Sequence, residues 1–558
     1  MKKSFTKNHM FSLPFLILAL LLLWAGLLLI PNTASAASDV CIDLRGDLDA
    51  NGSEPAGEAS ATAPNCRYGV TASQKGASQI SPMKIGWVVT FGPSKPSWVP
   101  SNVSHTPMIR LKQNRDSEGK RLPTYTARPS LTDSGLGQQI QANPGAVWIV
   151  GNEVDRVFWQ DDLMPEVYAD AYHDAYHFIK QKDPTAKVAV SGLVLVSPGR
   201  LQYLDKVLEA YRAKYGAPMP VDVWTFHAYI FPERIEDYQR PGDNVVPPDS
   251  GRPVFASVAN GTDPALALKL PHWWRPLSEQ LELCRRDDYS CIYEHDSIEL
   301  FTKQVIDMRR WMKARGYQNT PLLLTEWSLL HQYKVDANGQ CIATKDEYGN
   351  CFTPQRVTKF MEDSIRYLEN ATDSNLGYPL DNYRLVQQWA WFLLDDGDLG
   401  AFIDGNPSLL IDPANGNLTQ MGQKYRDLIA ATTTQPNLVI DQVLADLVNT
   451  DSQSGVGTAS LRVRIRNNGN TPTAAPFQVK FYQDANMTQL IGEATVPAGL
   501  EGCAVNDVMV EIEWENLSPG VHRYWVSVDS EGAIGSSKTG SSVVLVDPLR
   551  LFLPAVQR

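Results

Sequence analysis

Positive charge is scarce in this 558-residue sequence: 50 lysines and arginines face 62 acids, for a formal net charge of -12. No basic patch stands out, which argues against nucleic acid as a partner, because phosphates call for one. No Gly-x-Ser-x-Gly elbow surrounds any serine, so serine-hydrolase chemistry has little support. No cysteines stand in Cys-x-x-Cys spacing, which argues against structural zinc. Beyond residue 30 no apolar run is long enough to span a bilayer. The tail Leu553-Pro554-Ala555-Val556 lacks the threonine and glycine of a sortase signal.

What is present begins with an export signal. Lys2, Lys3 and Lys7 precede an apolar run from Phe11 to Ile30 and a small-residue site, Ala34-Ser35-Ala36, so residues 1–36 read as a signal peptide and the protein as secreted. The same run is about long enough to stay uncleaved as a membrane anchor. Cleavage removes three lysines and no acid, taking the formal charge to -15. Seven cysteines in an oxidising compartment suggest loop staples: Cys41 with Cys66, Cys284 with Cys291 and Cys341 with Cys351, with Cys503 left over.

The spacing of apolar residues predicts several folded parts. Residues 37–82, rich in Gly, Ala and Ser, read as a loop-rich leader. From 83 to 430, short apolar runs suit buried parallel strands: Ile85 to Phe91, Pro107 to Leu111, Val147 to Val150, Val188 to Val190, Val223 to Phe226, Pro321 to Leu324 and Val386 to Phe392. Amphipathic helices fall between them, clearest at Glu166 to Gln181 and Ser297 to Arg315. The pattern is that of α/β architecture with an open or closed parallel sheet; a strand expected between Leu111 and Val147 cannot be named. Residues 431–436 read as a linker, 437–547 as an all-β sandwich with alternating strands, and 548–558 as a tail.

Two glutamates stand where strands give way to loops, the catalytic face of such folds. Glu153 follows Val147-Trp148-Ile149-Val150-Gly151-Asn152, and Glu326 follows Leu322-Leu323-Leu324-Thr325. Glycoside cleavage needs two carboxyls, one to protonate the leaving oxygen and one to attack the anomeric carbon or activate water. A lone strand-end glutamate is more often a solvated charge or helix cap.

Gly151-Asn152-Glu153 and Thr325-Glu326-Trp327, with Asp222-Val223-Trp224-Thr225-Phe226-His227-Ala228-Tyr229 and Gln388-Trp389-Ala390-Trp391-Phe392, resemble the strand ends of the clan A retaining glycoside hydrolases, which have (β/α)8 TIM barrels. The resemblance covers roughly residues 84 to 430 and is nearest to β-glucanase and β-xylosidase-like members. It implies Glu153 as acid/base on strand four and Glu326 as nucleophile on strand seven. It further implies Asn152 on the sugar 2-hydroxyl, His227 or Tyr229 beside the nucleophile, and Arg110 as the second-strand arginine that keeps Glu326 ionised while Glu153 stays protonated. Trp391 is the preferred sugar platform, with Trp87, Trp327 and Trp389 as further candidates and Trp273-Trp274 as a cleft lining. In a retaining pair the carboxyls should lie about 5 to 5.5 Å apart.

Residues 437–547 resemble the CARDB domain, an adhesion-related bacterial β-sandwich of immunoglobulin-like form, which implies attachment or spacing rather than catalysis. Two metal signals carry less weight. Asp47-x-Asp49-x-Asn51-Gly52 with Glu58 matches a calcium loop in spacing but lacks flanking helices, and His173 and His177 sit one helical turn apart without the glutamate that zinc enzymes place between them. The expectation is therefore an exported glycosidase of β-linked polysaccharide or oligosaccharide, needing no metal or cofactor. The alternative is a non-catalytic glycan-binding or adhesion protein on a degenerate barrel. A transglycosylase would use the same residues.

Overall fold

The computed structural model describes residues 63–157, 160–234, 256–271, 275–397, 405–451, 455–546, all within one compact unit, Asp47–Arg558. The signal segment, Cys41, the acidic turn from Asp47 to Glu58 and Trp273-Trp274 lie outside the described residues.

The first strand, β1 (Asn65–Thr71), lies where a loop-rich leader is expected, and all seven of its residues are buried. Its sequence, Asn-Cys-Arg-Tyr-Gly-Val-Thr, has no apolar run to announce it. Its polar groups are matched by distant partners: Arg67 makes a two-pronged ion pair with Asp381 at 2.6 Å and donates to the carbonyls of Gln387 and Asn468. Next come β2 (Ile85–Val89), β3 (Ser104–Thr106), β4 (Met108–Arg115) and β5 (Arg121–Arg128). They are followed by β6 (Val147–Val150), β7 (Lys187–Val190) and β8 (Trp224–His227). Two-residue β9 (Glu233–Arg234) and β10 (Ala256–Ser257) precede β11 (Leu322–Trp327) and β12 (Gln388–Trp391).

One six-stranded parallel sheet has the order β3-β2-β1-β12-β11-β8, and a four-stranded sheet the order β5-β4-β6-β7. Only β5 runs antiparallel, as a half-exposed excursion returning along β4. The sheets approach each other at both margins. β3 passes through Pro107 into β4, and a parallel bridge joins Ala189 of β7 to Val223 just before β8. The result is a curled parallel sheet. Counted in chain order with β3 and β4 as one stave, β6 is the fourth parallel strand, β11 the seventh and β12 the eighth.

Helices α1 (Ser134–Ala142), α2 (Pro165–Lys182), α3 (Pro198–Tyr215), α4 (Ile298–Ala314), α5 (Pro354–Asn370) and α6 (Gln420–Ala430) cover the outer face. Ser197 caps α3 at its start, and Gly216 closes it in the left-handed conformation. Both amphipathic stretches expected from the sequence are helical, with Tyr168, Tyr172, Ala175 and Ile179 buried on one and Phe301, Val305, Met308 and Met312 on the other. His173 stacks flat on Tyr215 at 3.6 Å, which makes it part of helix packing.

Side chains alternate along each strand, so one set faces the helices and the other the sheet interior. Trp148, Val150, Leu322 and Leu324 face the helices; Val147, Ile149, Leu323 and Ala390 fill an inner layer with Trp87, Val89 and Met108. Cys503 and Val505, from the far end of the chain, belong to that same inner layer.

They come from the sandwich. Its sheets are β13 (Leu438–Thr450), β14 (Gly457–Asn467) and β17 (Asp507–Leu517), in the order β13-β14-β17, and β15 (Phe477–Tyr482), β16 (Leu490–Val496), β18 (Gly520–Val528) and β19 (Lys538–Val546), in the order β16-β15-β18-β19. All pairings are antiparallel, and the alternation expected along β14 puts Ala459, Leu461, Val463 and Ile465 in the core.

Cys503 is not left over: it is disulfide-bonded to Cys66, which replaces the expected Cys41 couple, whereas Cys284–Cys291 and Cys341–Cys351 are as expected. The backbone N–H of Cys66 also donates to Asn470, and Lys187 pairs with Asp507. Within the stretch expected as a linker, Thr432 is held by Asn65 and Thr433 by Asn470. These contacts lie at the starts of β1 and β7, the end of the sheet opposite to Glu153 and Glu326. Three disulfides suit an extracellular setting, and no helix among the described residues is long and apolar enough to cross a membrane.

Candidate active site

Strand β6 ends in a tight reversal. Gly151 has φ +87°, and a Cβ there would stand 2.5 Å from Val154. Glu153 itself sits at φ +45°, an uncommon conformation for a residue with a side chain, of the kind that concentrates at functional sites. Its N–H donates to the carbonyl of Gly192 at 3.1 Å, which ties the turn to the end of β7. Gly192 must be bare, because a Cβ would meet the His227 ring at 2.6 Å.

Two carboxylates and an imidazole meet above the inner layer. The Glu153 Oε1 lies 3.1 Å from His227 Nδ1, and its Oε2 accepts from Arg156 at 2.8 Å. The same His227 nitrogen is 3.6 Å from Glu326 Oε2, which also accepts from the Tyr229 hydroxyl at 3.1 Å. One donor atom from each of Glu153, His227 and Glu326 lies within 4.8 Å of the others. That spacing would also admit a small cation, although the Arg156 guanidinium already supplies positive charge there. None of Asn152, Glu153, His227, Tyr229 and Glu326 is more than 5% exposed.

Water exclusion and neighbouring charge divide the two glutamates. Burial alone would raise Glu153, but Arg156 and His227 outweigh it and hold the carboxyl at about 2. Burial pushes Glu326 up to about 7, against the pull of His227 and with the Glu153 charge adding to the rise. These directions are opposite to those expected of an acid/base Glu153 and a nucleophilic Glu326. Arg156, unnoticed in the sequence, stands on Glu153. Arg110 belongs to the third stave rather than the second, and its hydrogen bonds go to Asp161 at 2.7 Å and Gln160 at 3.0 Å, while its charge still acts to lower Glu326 as expected.

Tyr229 meets Glu326, and Asn152 stands on the turn beside Glu153. The Asn152 amide nitrogen donates to Gln160 at 3.1 Å, and its Oδ1 has no partner among the described residues. The tryptophans do not serve as expected. Trp327 and Trp391 point toward the helices, 4.4 Å apart edge to face, with the Trp391 N–H donating to Ser408. Trp389 also faces the helices, and Trp87 fills the inner layer over Gly69. Each is 1% exposed or less, so no ring face is open to a sugar. Among the described residues, aromatics beside the site include Phe392, whose ring meets Tyr229 at 6.2 Å and 88°, and Phe231, stacked on Tyr229 at 5.4 Å. Alternation along β12 is the signal that would have found Phe392.

No protein-family model matches the chain, and no curated protein matches its sequence. Among solved structures it is similar to a glucosidase from Croceicoccus marinus, with 12% identity, 83% of this chain and 96% of that one covered, and a TM-score of 0.35. It is also similar to a family 39 glycoside hydrolase from Bacteroides cellulosilyticus WH2, with 12% identity, coverage of 80% and 81%, and a TM-score of 0.33. The CARDB domain of the PF1109 protein from Pyrococcus furiosus matches 21% of this chain over 97% of its own length, with 18% identity and a TM-score of 0.16. Such loose likenesses carry no argument, and the functional reading rests on the geometry of the site.

Proposed function

We propose that the chain is a secreted retaining glycoside hydrolase acting on β-linked glycans, with its active site at Glu153 and Glu326. The observation that carries this reading is the pair of buried carboxylates at the ends of the fourth and seventh parallel strands, with donor oxygens within 4.8 Å. A retaining mechanism uses carboxyls about 5–5.5 Å apart, and an inverting one leaves about 6.5–9.5 Å for a water. The same reading takes the curled sheet as an eight-stave barrel, closed through Pro107 and the Ala189–Val223 bridge.

With Glu153 held low and Glu326 raised, the pair holds one proton over the pH range between them, as double displacement requires. In coupled groups that proton belongs to the pair rather than to one residue. His227, whose Nδ1 faces both carboxylates, is the group through which it is shared. In the first step Glu326 attacks the anomeric carbon, the glycosidic C–O bond breaks, and the leaving oxygen takes the proton from Glu153. Water then attacks the glycosyl-enzyme, giving its proton to Glu153 and releasing Glu326. The unpartnered Asn152 Oδ1 is placed to accept from a sugar hydroxyl, a contact able to strengthen in the transition state.

An activated 2-fluoro β-glycoside tests the assignment by peptide mass spectrometry. The label is expected on Glu326, and Glu326→Ala should abolish turnover. A label on Glu153 would exchange the two roles. A folded, fully active Glu326→Ala protein would sink the reading. Glucan binding that survives Glu153→Gln, with no hydrolysis by the parent protein, would favour a non-catalytic glycan binder.

A further inference from the structure

The turn that presents Glu153 is gripped from behind by a residue outside the carboxylate pair. Asp161, 1% exposed, returns to the turn from further along the chain. Its Oδ2 accepts from the backbone N–H of Asn152 and from that of Leu111 on β4, both at 2.8 Å. Its Oδ1 accepts from Arg110 at 2.7 Å, and its own N–H donates to the Asn152 carbonyl at 3.3 Å. Next to it, Gln160 holds the Asn152 side-chain amide. Asn152 is thus fixed through its N–H, its carbonyl and its Nδ2. A carboxylate this buried is costly unless its lone pairs are used, and here two backbone donors and a guanidinium use them.

We propose that Asp161 is the positioning residue of this turn: by lashing Asn152 to β4, it keeps Glu153 in the left-handed conformation that aims its carboxyl at His227 and Glu326. This gives Arg110 its place as well, as the cation that holds Asp161. The kinetic part of the inference rests on the catalytic reading above; the conformational part does not.

The test compares the parent full-length protein with Asp161→Ala and with the double variant Asp161→Asn/Arg110→Gln. In the double variant an amide pair replaces the ion pair and leaves an oxygen facing the two backbone donors. Hydrogen exchange read by mass spectrometry should speed up in Asp161→Ala for peptides covering 151–154, with β8 and β11 unchanged. On a β-glycoside with an alkyl leaving group, which needs the acid, kcat should fall about 100-fold, the loss expected of a misplaced group. On the same sugar with a dinitrophenolate leaving group, which needs no acid, the loss should be small. The double variant should recover most of the exchange protection at 151–154. Unchanged exchange at 151–154, or unchanged kcat on the alkyl glycoside, overturns the proposal. A lowered melting temperature with equal losses on both substrates would likewise reduce Asp161 to a structural role. If the parent cleaves no glycoside, the catalytic reading fails, and the exchange result still decides whether Asp161 holds the turn.

Discussion

At the scale of single residues the site is an exercise in charge without water. Folding raises Glu326 from 4.5 to about 7, so the folded protein binds a proton that the unfolded chain has released, and stability should decline as pH rises across that interval. His227 acts in the same sense. Burial would lower it, but Glu326 and Glu153 together raise it, so its contribution is complete below the unfolded value of 6.5 and is lost above its folded one. Glu153 has the opposite sign, contributing above 4.5 and losing that contribution as pH falls toward 2. Glu326→Gln should therefore flatten the fall of melting temperature between about pH 5 and pH 7. A profile as steep as the parent's would show that Glu326 does not carry this proton. The glutamates, Asn152, His227 and Tyr229 were legible because each ends a strand in a short motif. Arg156 was not, although it stands three residues from Glu153, because only the reversal at Gly151 and Glu153 brings the two together.

Among elements, β1 is the one the sequence concealed. Apolar runs revealed β2, β6, β7, β8, β11 and β12, each fully buried or nearly so. β1 instead carries an arginine and an asparagine whose partners lie hundreds of positions away, and no local pattern encodes such a pairing. Without β1 a strand count taken from apolar runs is one short, and it puts Arg110 one stave too early. The omission can be tested. A chain starting at Met83 would lack the strand between β2 and β12 and leave two parallel edges unpaired, and it should be insoluble. A chain starting at Ala63 should express in soluble form and melt cooperatively. Comparable soluble yield and melting from both would mean that β1 is dispensable.

Across the whole molecule, the sandwich is joined to the parallel sheet far more tightly than a polar linker implied. The Cys66–Cys503 disulfide and the Lys187–Asp507 pair hold it at the end opposite to the glutamates. Removing the disulfide by Cys503→Ser should cost roughly 2–4 kcal/mol of stability, read as a lower melting temperature in calorimetry, while the proposed hydrolysis of a small β-glycoside by the folded protein stays unchanged. An unchanged melting temperature would indicate that the other contacts hold the sandwich alone. The sandwich itself was legible from alternating residues, but its docking was not, because Cys66 and Cys503 are 437 positions apart.

That separation bears on the order of events at birth. The inner layer that Cys66 opens is completed by Cys503 and Val505, and β1 must also wait for β12 to gain one of its two neighbours. A chain emerging N-terminus first cannot finish β1 until the sandwich has been made. Until then its apolar interior stays open, and pairing over so long a span is slow. For this protein a strand is completed by residues 437 positions later, and the parallel sheet is finished only once that part of the sandwich has been synthesised.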